Sequence, residues 1–144
     1  MGSSLLVAAG FMSLAVALFH VVAAFVPRLQ RSFGAPESLI AAGPLAIGVA
    51  CFALTAVFSI WAAYAFSGAG WLPDLPLLGL ALLTIGAVYA LRGTLLGPQI
   101  LAISGRWPRD IQTEPQHLAS SAVSLTIGLV YLAGTLVSWS ELGG

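Results

Sequence analysis

Long apolar blocks separated by short polar connectors make up this chain, and four of the blocks reach the roughly 20 residues that an α-helix needs to cross a bilayer core. The first runs from about Leu5 to Val26 and is closed by Pro27. The second runs from about Leu39 to Phe66, longer than a bilayer requires, so a tilt or a kink at Gly43 and Pro44 is expected. Gly68, Gly70, Pro73 and Pro76 then interrupt the pattern, and Pro76 suits the first position of a third helix, about Pro76 to Gly97. The far end of that helix is open. Apolar character persists past Arg92 to about Ser104, while Gly93, Gly97 and Pro98 all weaken helical structure. The fourth block runs from about Leu118 to Trp139. The predicted fold is therefore an all-α membrane protein, one domain over residues 1–144, with four transmembrane helices in an up-down bundle.

Composition removes the soluble alternative. A chain that is 59% hydrophobic and 7% charged, with mean hydropathy +1.00, has too little polar material to cover a water-soluble core. The first block is a span and not a secretory signal, because no basic residue precedes it, and its apolar run exceeds the roughly 7–15 residues of a signal core. Gly2 follows Met1, but Leu6 stands where myristoylation wants Ser or Thr. With no lysine and a net charge of zero, no nucleic-acid partner is expected.

Basic residues set the expected orientation. Arg28 and Arg31 lie in the first connector, Arg106 and Arg109 in the third, and Arg92 is nearest that same side, so both termini are placed outside the cytoplasm. Trp61, Tyr64, Trp71 and Trp139 then fall toward the outer interface and Trp107 toward the inner one. Small-residue stripes offer contact faces for helices in lipid. They are Ala9, Ser13 and Ala17 on the first span; Ala42, Ala46 and Ala50 on the second; Gly79, Gly86 and Gly93, with Ala90 and Gly97, on the third; and Ser120, Ser124 and Gly128 on the fourth. At an offset of 80, LAIGVACFALTAV aligns with LTIGLVYLAGTLV, pairing Gly48 with Gly128 and Thr55 with Thr135, the mark of a duplicated helical hairpin.

Candidate chemistry gathers around Arg92. An arginine at the bilayer centre costs at least about 2.5–3.5 kcal/mol, so it is expected either to snorkel from a helix that ends near Leu95 or to face the bundle interior. In the second case Tyr89 lies one turn above it, Gln99 one heptad below, and His20 of the first span at a similar depth, giving a polar cluster of His20, Tyr89, Arg92 and Gln99. Arg28, Arg31, Arg106, Arg109 and His117 are candidate headgroup-facing residues, His117 as a solvated residue at the mouth of the fourth span. Glu37, Asp110 and Glu114 are loop carboxylates whose exposed ion pairs contribute about 0–1 kcal/mol each. Cys51 has no partner cysteine, and His20 and His117 lack metal-ligand spacing, so no metal is expected. Neither a phosphate-binding glycine loop nor a Gly-x-Ser-x-Gly turn is present, which implies no cofactor and no catalytic nucleophile.

The run AVYALRGTLLGPQ, followed by PRD and then SAVSLTIGLVYLAGT, resembles small bacterial four-span membrane proteins to which no activity is attached. The likeness covers about Leu75 to Val137 and is carried by Arg92, Gly93, Pro98, Gln99, Arg109 and Asp110; it implies a bacterial inner-membrane location and a four-span architecture. The functional expectation is a non-enzymatic accessory or interaction component whose partners are the lipid bilayer and either a second copy or an unidentified membrane protein. One alternative is a small homo-oligomeric transporter or channel for an anionic or acidic solute, lined by Arg92, His20 and Gln99. Another is a lipid-binding or lipid-active protein using Arg92, Arg106, Arg109 and His117.

Overall fold

The computed structural model describes residues 1–33, 37–106 and 111–142. Four helices in it are long and apolar enough to cross a membrane. The first is α1, Gly2–Phe25. Two short helices follow it, α2 over Pro27–Ser32 and α3 over Glu37–Ala41. The second long helix, α4, is Pro44–Gly68. The third is divided into α5, Leu78–Gly93, and α6, Leu96–Ile103, and the fourth is α7, Pro115–Val137, trailed by a 3₁₀ turn at Trp139–Glu141.

Helix boundaries follow from the breakers. The expected kink in the second span is a full break, because Gly43 takes φ 94° and Pro44 opens α4 at a position where its missing N–H costs nothing. The third span begins at Leu78, two residues later than Pro76, since Leu77 itself adopts a left-handed φ of 53°. It does continue past Arg92. Pro98 has no N–H for the Thr94 carbonyl, which accepts instead from Gly97 N at 3.1 Å; the ordinary helical bond resumes one residue later, from Gln99 N to Leu95 O at 3.1 Å. The helix therefore tightens at Thr94 and Leu95 without ending.

Around the bundle, α1 packs on α4, α4 on α5, α5 on α7 and α7 back on α1, which is an up-down arrangement with every long helix antiparallel to its neighbours. Gly2 lies against Gly134 and Ser138, so both termini share one end, and the α1–α4 and α6–α7 connections share the other. The core runs through Leu6, Ala9, Ala65, Leu82, Ile85, Tyr89, Ile127 and Tyr131.

Two modes of contact hold the helices. Between α5 and α7 the backbones touch: a Cβ on Gly93 would fall on the Leu125 backbone, and one on Gly128 on the Ala90 backbone. Glycine is what permits this approach, and close contact is the main attraction between helices in lipid. The α1–α4 pair relies instead on side chains, including Thr55 Oγ1, which donates to Ala17 O at 3.3 Å as well as to Cys51 O of its own helix at 2.9 Å. Buried Ala9, Ser13 and Ala17 form the contact stripe expected on α1. On the second span Ala42 is exposed, and Gly97 meets nothing, so these stripes are not all contacts.

Candidate functional site

One hydrogen-bonded chain passes through all four long helices. Tyr131 of α7 donates its hydroxyl proton to the Trp61 carbonyl of α4 at 2.9 Å. Its oxygen also lies 2.9 Å from Ser13 Oγ of α1, and with the tyrosine proton already committed, Ser13 is the donor there. Ser13 Oγ in turn lies 3.3 Å from the Tyr89 hydroxyl of α5, which must then donate to it. The sequence is Tyr89 to Ser13 to Tyr131 to the Trp61 carbonyl, one residue from each span. Ser13 and Tyr131 are both 0% exposed and Tyr89 5%, so water does not compete for these bonds.

Aromatic rings surround the chain. Tyr89 stacks with Tyr131 at 5.9 Å and with Phe58 at 6.0 Å, and meets the edge of Trp61 at 5.0 Å. Trp61 is thus half-buried in the bundle, whereas Trp71 and Trp139 are exposed at the end that carries the termini. At that end Ser67 of α4 donates to the Pro73 carbonyl at 2.8 Å and accepts from Leu75 N at 3.1 Å, clamping the α4–α5 loop onto the bundle.

The cluster expected from His20, Tyr89, Arg92 and Gln99 is not assembled: among the described residues no hydrogen bond joins any two of them. Tyr89 belongs to the chain just described. His20 Nδ1 lies 2.8 Å from the Val16 carbonyl one turn earlier on α1, and its ring packs between Phe19 and Phe58. A carbonyl only accepts, so Nδ1 carries the proton of that bond. Gln99 is 4% exposed, and its Nε2 donates to the Gln112 carbonyl at 3.1 Å while its Oε1 is buried without a donor.

Arg92 is exposed, on the flank of α5 that adjoins α7. Its guanidinium donates to Ser121 Oγ at 3.3 Å and to Ser120 Oγ at 3.4 Å. The cause is rotational phase. Gly93 is pressed against α7, and the preceding residue is turned by roughly 100° from it, which carries Arg92 out of the interior. Neither simple expectation therefore applies, since the helix goes on but its arginine points outward.

Of the candidate headgroup residues, Arg28 and Arg106 are exposed at the end opposite the termini. The side chain of Arg31 and the whole of Arg109, with Trp107 and Asp110, lie outside the described residues. His117 is buried in the first turn of α7, its Nε2 3.8 Å from Glu114, and not solvated as the sequence suggests; the helix starts at Pro115, three residues earlier than expected, and carries His117 into the packed region.

The sequence singled out Tyr89 as a neighbour of Arg92 and Ser13 as one small residue of a stripe; Tyr131 drew no notice. The available signal was a lone serine in an otherwise alanine stripe, together with two tyrosines inside apolar blocks. Two surface grooves are also present. One, of about 470 Å³, lies at the end with the termini and is lined by Asp74, Leu77, Gly79, Trp139 and Glu141. The other, of about 570 Å³, lies between α1 and α4 toward the opposite end, against Phe25, Leu45, Val49 and Phe52. Comparisons of the chain with protein-family models, curated proteins and solved structures return no match.

Proposed function

We propose that this multi-pass membrane protein is a non-enzymatic accessory or interaction component of a bacterial inner membrane, inserted with both termini outside the cytoplasm. The observation that carries this reading is the use made of the buried hydroxyls. Tyr89, Ser13 and Tyr131 spend their hydrogen bonds on one another and on the Trp61 carbonyl, so the centre of the bundle acts as a brace between helices. The arginines whose side chains are described, Arg92, Arg28 and Arg106, are on the outside, where other molecules meet the protein. Orientation is supported by arginine placement, because the end opposite the termini carries Arg28 and Arg106, and basic residues in short connectors are retained in the cytoplasm. The bacterial assignment rests on the resemblance carried by Arg92, Gly93, Pro98, Gln99, Arg109 and Asp110.

Native mass spectrometry of the tagged protein, extracted gently from its own membranes, tests the proposal. A reproducible second membrane protein in stoichiometric amount is the expected result. A homo-oligomer alone, together with anion flux in proteoliposomes that Arg92→Leu abolishes, would replace it with the transport reading. The outward placement of Arg92 is compatible with that alternative only if several copies enclose a shared path.

A further inference from the structure

We propose that Arg92, braced by Ser120 and Ser121, holds the phosphate of a single anionic phospholipid from the leaflet nearest the α6–α7 connection. The argument starts from unspent hydrogen-bonding capacity. A guanidinium has five N–H donors, and Arg92 engages two side-chain acceptors within the chain, both at long distances, 3.3 and 3.4 Å. No carboxylate among the described residues lies within ion-pair distance of it. Ser120, half-buried, accepts from Arg92 and retains its own O–H as a donor. Charge and donors thus converge on one exposed spot, and the described residues supply no anion to receive them.

Depth identifies what does. The guanidinium lies level with Ser120 and Ser121, five and six residues inside the start of α7 at Pro115, which is about 8 Å along the axis. The 23 residues of α7 span about 35 Å against a hydrocarbon core of about 30 Å, so the charge sits roughly 5 Å inside the edge of the acyl region. That is too deep for full hydration and shallow enough for a headgroup to be drawn in by local thinning of the bilayer. A phosphodiester offers two non-bridging oxygens that the planar guanidinium fork engages together. Arg28 and Arg106, exposed at the same end, add a weaker general attraction for anionic over zwitterionic lipid.

The test uses the full chain in nanodiscs of phosphatidylcholine containing a minor fraction of phosphatidylglycerol, with retained lipid counted by native mass spectrometry. The wild type should keep one phosphatidylglycerol in preference to phosphatidylcholine. Arg92→Gln should lower that retention at least about tenfold, the loss of a charge-assisted contact, while Arg92→Lys keeps most of it. Arg28→Gln with Arg106→Gln should lower it only a few-fold. If Arg92→Gln fails to fold, a photoactivatable phosphatidylglycerol on the wild type gives the answer, with crosslinks expected on α5 and α7 beside Arg92 and Ser120. Equal retention of both lipids, retention unchanged in Arg92→Gln, or crosslinks confined to other surfaces overturns the proposal. So does stripping of the lipid by millimolar inorganic phosphate, which would indicate a free-anion site, or a co-extracted protein whose carboxylate occupies Arg92.

Discussion

Helices α4 and α7 run in the same direction through the bundle, align with each other at an offset of 80 residues, and meet opposite surroundings. Their buried isoleucines correspond, Ile47 with Ile127, and so do the threonines that bond back one turn, Thr55 to Cys51 O at 2.9 Å and Thr135 to Tyr131 O at 2.8 Å. The glycines do not. Gly128 is pressed against the Ala90 backbone of α5, whereas a Cβ on Gly48 would meet nothing within 4 Å. Gly128 belongs to a face that also buries Ser121, Tyr131, Gly134 and Thr135, while α4 turns Leu45, Val49, Phe52 and Ile60 outward, Leu45 to 80% exposure. Hydropathy is similar in the two helices, 2.2 against 1.7. What separates them is how far the buried small and hydroxylated residues extend: in α4 Ala62, Ala65 and Ser67 are confined to its last two turns, whereas in α7 they run from Ser121 to Thr135, and in lipid close contact and hydrogen bonds must draw helices together.

The largest effect that comparison predicts comes from its glycines. Gly128→Leu should abolish the folded bundle, seen as loss of a cooperative unfolding transition in a mixed-detergent titration. Gly128→Ala should destabilise by about 1–3 kcal/mol, the range for overpacking a filled contact. Gly48→Ala should change stability by no more than about 1 kcal/mol, and toward greater stability, since alanine is the better helix former and the space is empty. Equal effects at the two positions would remove the distinction between the helices.

Next comes the hydroxyl chain. Tyr131→Phe deletes two of its bonds and is expected to cost about 1–2 kcal/mol; Tyr89→Phe deletes only the terminal 3.3 Å bond and should cost about 0.5 kcal/mol, both read from unfolding midpoints in the same detergent system. The reverse order would mean that Tyr131 is not the central link of the chain.

The smallest effect belongs to the α1–α4 pair. Thr55→Val removes the shared donation to Ala17 at 3.3 Å and to Cys51 at 2.9 Å while keeping the shape of the side chain, and a change of about 0.5 kcal/mol or less is expected. A larger loss would show that α4 depends on polar ties as α7 does.

These differences set the limit on what was legible in the sequence. Block hydropathy located all four spans, and the breakers Gly43, Pro44 and Pro98 marked where the backbone bends, because both signals are local. The rotation of each helix about its axis is not local. Whether Arg92 faces the interior depends on Gly93 docking on Leu125, and whether Ser13 meets Tyr131 depends on three other helices being in place. For the same reason His20 and Arg92, expected to meet, have different neighbours. The rings of Phe19 and Phe58 flank the histidine, and the first turns of α7 receive the arginine. Small-residue stripes were ambiguous in an alanine-rich chain, as the contrast between buried Ala17 and exposed Ala42 shows.

A double-mutant cycle between Ser13→Ala and Tyr131→Phe, measured by reversible unfolding in bilayer-like detergent, tests most directly the claim that one hydroxyl chain braces all four spans. The account predicts a coupling energy of about 0.6–1.7 kcal/mol, the range found for hydrogen bonds between membrane helices. Strictly additive single substitutions would contradict it, leaving the apolar core of Leu6, Ala9, Ala65, Leu82, Ile85 and Ile127 to hold the two hairpins together.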